Sequence, residues 1–348
     1  MLDEQKKNGP RKKRQRRPTM GDVAQLAGVS QATVSLVLND VGGSRVQAST
    51  VEAVRKAARD VGYSLTRRSR VGRGTTQTIG YVIEDTFTNP MVNIAIEAAR
   101  QAAWEADAVL FVLPTLGDSQ LRSAALDVLL EQRLVGVILS SFFTNRIRPP
   151  SALRNIASVL VNCYDERGQL PALLPAHADG ARRGVAHLVS RGHRRIAMIN
   201  GDRALDAFRD RVAGYKGALK SAGLSFDNGL FIQDCSDVTG GREATARLMD
   251  LPDPPSAIFC ATDTIAIGAY EELQRRGIVV GRDVAILGFD NDPKARWLDP
   301  GLSTVEVPHA EMGRRAVQHL LAVRDHEEEI CVSGNLRVAT PLILRGST

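Results

Sequence analysis

The strongest constraint on this chain is an alternation of strand and helix patterns that runs almost unbroken from residue 78 to residue 344. Apolar, β-branched runs at 78–83, 108–113, 135–140 and 159–161 read as strands, and amphipathic stretches at 93–106 and 119–132 read as helices. The pattern then starts again. Helices are expected at 179–191, 210–222, 240–251, 264–276 and 308–323, and strands at 195–200, 257–261, 284–289 and, as the last element, 336–344. Strands separated by helices must run parallel, because each helix carries the chain back across the sheet. The expected architecture is therefore α/β, with two doubly wound lobes in tandem and a ligand cleft beyond the carboxyl ends of the strands.

With 348 residues the chain is too long for one ordinary core, and its charge divides it further. Residues 1–74 hold sixteen Lys and Arg against six Asp and Glu, a net of +10, whereas the whole chain is +6; the remainder is thus −4. The run Arg11-Lys12-Lys13-Arg14-Gln15-Arg16-Arg17 is expected to be a basic arm over 1–17 that releases counterions from a phosphate backbone. A solvated tail without a partner is the alternative. The opening residues have no apolar export segment, and no apolar run reaches the roughly 20 residues needed to span a bilayer, so a cytoplasmic location without membrane contact is expected. Cys163, Cys235, Cys260 and Cys331 are far apart and fit neither a zinc site nor a redox pair; reduced, buried thiols are expected.

Between the arm and the α/β body, residues 18–63 carry three short helical patterns. Thr19 and Asp22 have capping-box spacing, Val23, Ala24, Leu26 and Ala27 form an apolar stripe, and Gly28 permits a tight turn. Ser30 suits the N-cap of a second helix from Gln31 to about Asn39, with Val34, Val37 and Leu38 inward and Gln31, Ala32, Ser35 and Leu36 outward. A third helix is expected from Ser49 or Thr50, with Ser49 and Glu52 as a second capping box. Two helices joined through a glycine turn make a helix-turn-helix; a small three-helix bundle with no DNA role has the same pattern. The adjoining positive charge favours the DNA reading. Residues 64–77, rich in Arg, Gly, Ser and Thr, read as a linker.

The run from Thr19 to Asn39, TMGDVAQLAGVSQATVSLVLN, followed by Val46-Gln-Ala-Ser-Thr50, resembles the DNA-binding signature of the LacI/GalR family. Gly192-His-Arg-Arg-Ile-Ala197, Arg211-Val-Ala-Gly-Tyr215, Asp263 with Gly268-Ala269, and Gly288-Phe-Asp-Asn291 are similar to family landmarks in the same order. The resemblance implies a helix-turn-helix headpiece, a hinge, and a two-lobed core over 78–348 like a periplasmic binding protein. It implies a transcription regulator, often a repressor, that binds palindromic operator DNA as a homodimer and answers to a sugar or nucleoside between the lobes. Motif matching points to Asn162, Arg211, Thr262 and Asp290 as effector-binding residues. Asp290 directly follows a strand, and its carboxylate can accept bonds from two hydroxyls, while Arg211 offers a fixed fork of donors. The alternative is that Arg211 and Asp290 only pair with each other. Asp263 reads as a helix N-cap.

In the headpiece, Gln31 can bond an adenine edge and Ala32 can meet a thymine methyl. Thr19, Ser30, Thr33, Ser35 and Asn39 suit phosphate contacts, with simple capping as the alternative for the hydroxyls, and Arg45 can reach base or backbone. The chain departs from the family at Leu36, where arginine is common, in the longer loop before Val46, and in the hinge. There Leu65-Thr66-Arg67-Arg68 replaces the usual opening, Arg70 adds to the basic cluster, and Gly72 stands in place of the leucine wedge. No P-loop, nucleophile elbow or His-Glu-x-x-His occurs, so neither an enzyme nor a cofactor is expected. A sugar-binding module without DNA function is the competing reading. Small-residue faces at 93–106 and 264–276 are the expected dimer contacts.

Overall fold

A computed structural model describes residues 19–38, 46–61, 77–84, 90–132, 134–327, 332 and 334–348. The arm at 1–17, Asn39, Arg45, Arg67, Arg68, Arg70, Gly72 and Cys331 lie outside the described residues. Contacts divide the chain into two compact units, one up to Gly74 and one from Thr75 onward.

In the first unit, α1 (Met20–Ala27), α2 (Gln31–Leu38) and α3 (Ala48–Asp60) close a small core in which Val23, Val34 and Val54 are fully buried. Thr19 caps α1 as expected. The Asp22 N–H donates to its hydroxyl at 3.4 Å, and the Thr19 N–H donates to the Asp22 carboxylate at 2.6 Å. Gly28 follows at φ 67°, the left-handed conformation that lets the chain turn into α2 without a side-chain clash. Two expectations fail. Leu26 is 54% exposed and lies off the core stripe. The Ser49–Glu52 capping box does not form, because extended Gln47 already starts α3 and leaves Ser49 inside the helix.

The second unit holds two six-stranded sheets. The first joins β1 (Gln77–Ile83), β2 (Ala108–Pro114), β3 (Leu134–Ile147), β4 (Ser158–Asp165), β5 (Ala172–Pro175) and β11 (Asn335–Val338), ordered β11-β5-β4-β3-β1-β2 with every pairing parallel. The second joins β6 (Ile196–Ile199), β7 (Phe231–Ile232), β8 (Ala257–Cys260), β9 (Ala285–Asp290), β10 (Ser303–Glu306) and β12 (Leu342–Ile343), ordered β12-β10-β9-β8-β6-β7. Helices α4 (Pro90–Glu105), α5 (Ser119–Leu130) and α10 (His309–Asp325) serve the first sheet. Helices α6 (His177–Ser190), α8 (Val238–Met249) and α9 (Asp263–Arg275) serve the second, and α7 (Asp206–Ser221) packs on α6 while also meeting β3 of the first sheet. Fully buried Ile79, Ile138, Val159 and Leu160 fill the first lobe, and Ile258, Phe259, Ile286 and Leu287 the second.

The lobes are not in simple tandem. After β10 the chain returns to the first lobe, where Gly313 of α10 packs directly on α4; a Cβ there would lie 2.1 Å from the Ala95 carbonyl. The expected last strand at 336–344 is also two strands, β11 in one sheet and antiparallel β12 in the other. Pro341 has no N–H to continue a ladder, and the Thr340 hydroxyl donates to the Ala176 carbonyl at 3.0 Å, pinning the crossover. Cys163, Cys235 and Cys260 are buried thiols that are not joined in disulfides among the described residues. Among the described residues no helix is long and apolar enough to cross a membrane.

Candidate functional site

The first unit presents one face of α2. Val34 and Val37 anchor the helix inward, which turns Gln31, Ala32 and Leu36 to the outside, Leu36 at 39% exposure. The Gln31 amide reaches over Gly21 of α1, where a Cβ would lie 3.0 Å from Nε2. Ser30 performs the capping role, since its hydroxyl accepts the Thr33 N–H at 3.1 Å and meets the Thr33 hydroxyl at 2.9 Å. Those two hydroxyls therefore spend part of their bonding locally. Thr19 is exposed, and Ser35 is half-buried.

In the second unit, three of the four expected effector residues converge on one cavity. Asn162 comes from β4, Arg211 from α7, and Asp290 from the end of β9. Arg211 Nη2 donates to Asp290 Oδ1 at 3.0 Å, so the pairing alternative is realised within the cavity itself. Arg211 also donates to the Ala261 carbonyl, and its guanidinium lies 3.8 Å from the centre of the Phe289 ring. Phe289 thus supports the arginine. Asn162 at φ 57° and Asp290 at φ 114° hold strained backbone at the cavity wall.

Thr262 does not line the cavity. It is the N-cap of α9, accepting the Ile265 N–H at 3.2 Å. The N-cap expected of Asp263 is thereby displaced by one residue. Asp263 is instead fully buried and accepts the Thr304 hydroxyl at 2.6 Å and the Asp292 N–H at 2.7 Å. It fastens the loop after β9 to β10, which fixes where Asp290 sits.

Residues that motif reading missed complete the wall. His177 Nδ1 lies 3.5 Å from Arg211 Nη2, and its Nε2 lies 2.9 Å from the Thr144 hydroxyl. Arginine has only donors, so Nδ1 accepts and Nε2 carries the proton. The Thr144 hydroxyl then donates to Asn162 Oδ1 at 2.5 Å, and Asn162 Nδ2 donates to the Phe142 carbonyl. Burial, with the charge of Arg211 as a second cause, pushes His177 well below its ordinary range and keeps it neutral. Burial lowers His309 to about 4 and raises Asp290 to about 6, Arg211 opposing the latter rise. His177 and His309 each follow the end of a four-residue strand closely, β5 and β10, and strands that short left no periodic signal in the sequence to mark them. Arg211 Nε and both amide atoms of buried Asn200 find no partner among the described residues.

The cavity offers an acceptor at Asp290, donors at Arg211, and apolar walls from Phe143, Met91 and Val307. That mixture suits a small polar molecule with hydroxyls and an apolar face. Among the described residues no cluster of three His, Cys, Asp or Glu is arranged to hold a metal.

Residues 19–64 match the family described as bacterial regulatory proteins, lacI family, and residues 185–348 match a periplasmic binding protein-like domain. The HTH-type transcriptional repressor CytR of Escherichia coli K12 is 30% identical over 346 residues, covering 97% of this chain and 98% of that protein. The ribose operon repressor of the same organism is 30% identical over 306 residues, covering 87% and 92%. Among solved structures, the lac repressor bound to ONPG superposes with a TM-score of 0.70 at 25% identity, covering 96% of this chain and all of that one. The CelR–cellobiose complex gives 0.65 at 28%, covering 95% and 100%.

Proposed function

The chain belongs to the lacI family of bacterial regulatory proteins, and from that membership we propose that a neutral sugar or nucleoside binding in the Arg211–Asp290 cavity sets its affinity for operator DNA. As a family member it is a DNA-binding transcriptional regulator. The observation that carries the effector reading is the cavity between the two sheets, where Asn162, Arg211 and Asp290 face one space. Arg211 and Asp290 balance each other's charge, which favours a ligand without net charge.

On the DNA, Gln31 and Ala32 read base edges, Leu36 adds an apolar contact, and Thr19, Ser30, Thr33, Ser35 and Asn39 meet phosphates. Arg45, Arg67, Arg68 and Arg70 add positive charge for the same phosphate backbone. A single helix-turn-helix reads too few base pairs to find one site in a genome, so two copies are needed. The outer side of α9 supplies a face for the second copy. There Trp297 is 77% exposed beside a groove lined by Ile267, Tyr270 and Ile278. On the first lobe, Ile94 of α4 at 37% and Phe111 of edge strand β2 at 47% exposure extend the dimer face. The function is that of a cytoplasmic regulator, not an enzyme.

Differential scanning of the purified chain with D-ribose, cytidine and glucose 6-phosphate tests the ligand class. A rise in melting temperature with one of the neutral compounds supports it. A rise with the phosphate alone sinks it.

A further inference from the structure

Helix α7 carries the cavity's arginine and the ties between the lobes on the same few turns. Its rear half belongs to the second lobe. Gly214 packs against the α6 backbone, where a Cβ would lie 2.2 Å from the Ala178 carbonyl, and the Tyr215 hydroxyl donates to the Ile196 carbonyl of β6 at 2.8 Å. Its front half reaches into the first lobe. Asp206 and Asp210 lie one turn apart on one face of the helix, and each accepts a bond from a first-lobe side chain. The Tyr164 hydroxyl, at the end of β4, donates to Asp206 Oδ2 at 2.7 Å. Arg337 Nη1, on β11, donates to Asp210 Oδ2 at 3.2 Å. Arg211 follows directly, in the cavity.

Neither tie is needed to build a lobe. The Tyr164 ring packs on the first-lobe core and only its hydroxyl leaves it. Releasing the ties also strands no buried charge. Asp206 keeps an ion pair with Arg209 on its own helix, and Arg337 keeps a bond to the Pro175 carbonyl at 3.2 Å. Contacts that open at little cost, on the helix that also touches the cavity, are what a two-state element requires. Arg337–Asp210 is partly solvent-screened, with side chains 48% and 33% exposed. Tyr164–Asp206 is the drier of the two, with Asp206 only 16% exposed.

We propose that Tyr164–Asp206 and Arg337–Asp210 form an interlobe latch on α7, which holds the lobe angle and passes occupancy at Arg211 to the first lobe. The second half of this statement rests on the cavity reading above; the first half does not.

The test is ligand-free first. Spin labels at Ser123→Cys on α5 and Glu243→Cys on α8 report the separation of the lobes in the full chain, with Cys331→Ser to limit labelling. Pulsed electron–electron resonance should give one narrow distance for the parent. The Tyr164→Phe/Asp210→Asn pair, two isosteric changes, should shift or split that distance by several ångströms while the melting curve stays cooperative. A distribution identical to the parent overturns the latch. D-ribose and cytidine are then added to the parent separately. If the variants shift but neither compound moves the parent, the latch stands and the cavity's ligand class is wrong.

Discussion

Arg211 and Asp290 meet at 3.0 Å inside the effector cavity, one from the middle of α7 and the other from the last residue of β9, with the arginine side chain 2% exposed. A guanidinium that dry depends on its counter-charge, and breaking a buried pair from one side costs about 3–5 kcal/mol because the surviving charge is left uncompensated. Asp290→Ala is therefore expected to lower the unfolding free energy of the second unit by about that amount and to abolish the response to ligand. Urea unfolding and calorimetric titration measure the two effects. A variant as stable and as responsive as the parent would remove Asp290 from the site.

Acidity should act through the same carboxylate. Burial raises Asp290 from 3.8 to about 6, whereas burial holds His177 and His309 down, so both are neutral near pH 6. Protonated Asp290 is a poorer acceptor for ligand hydroxyls, so affinity should fall as pH drops through about 6. The stability effect has the opposite sense. The folded protein takes up this proton more readily than the unfolded chain, so the proton-linked part of the Asp290 contribution is greatest below about 4 and is lost as pH rises through about 6, whereas the pairing with Arg211 persists above it. Since Asp263 is also raised and the histidines titrate in the reverse sense, the comparison that isolates Asp290 is the parent minus Asp290→Asn. That difference in unfolding free energy should decline with rising pH; a flat difference would contradict the assigned shift.

Much of this was legible in the sequence, for physical reasons that differ between the parts. The Thr19–Asp22 cap, the Gly28 turn and the Val23, Val34 and Val37 core are local, and local spacing reveals them. The parallel lobes follow from strand–helix alternation. What alternation does not encode is which sheet an element joins, so the return of α10 to the first lobe and the split of β11 from β12 were hidden. Strands of two and four residues such as β7 and β5 are too short to show a period. The cavity divides in the same way. Asn162, Arg211 and Asp290 stand in recognisable motifs, while Thr144 and His177 enter only because two distant segments are folded against each other.

The reading face of α2 predicts two separable effects. Thr19→Ala removes a capping hydroxyl and should cost the headpiece about 1 kcal/mol of stability without changing base preference. Gln31→Ala, on the exposed face, should relax preference at one or two positions of the site at a cost of about 1–3 kcal/mol there. Binding measured on a panel of single-base operator variants distinguishes them. An unchanged preference profile for Gln31→Ala would place the reading face elsewhere.

Trp297 gives the dimer a specific handle. Trp297→Asp puts a charge where an apolar ring is 77% exposed beside the α9 groove, and should weaken self-association by at least about tenfold. Sedimentation at micromolar concentration reads this. A parent that is monomeric alone and on DNA removes the dimer, whereas a dimeric parent with an equally dimeric variant moves the interface away from Trp297.

The central claim is that occupancy of the Arg211–Asp290 cavity changes affinity for a specific DNA sequence. Its most direct measurement is fluorescence anisotropy on a DNA site selected by the protein from a random pool, with and without the neutral sugar or nucleoside that raises its melting temperature. A palindromic site should emerge, and the ligand should change the parent's Kd by about fivefold or more while leaving Asp290→Ala unaffected. Failure of any sequence to enrich, or an equal ligand effect on parent and variant, would contradict it.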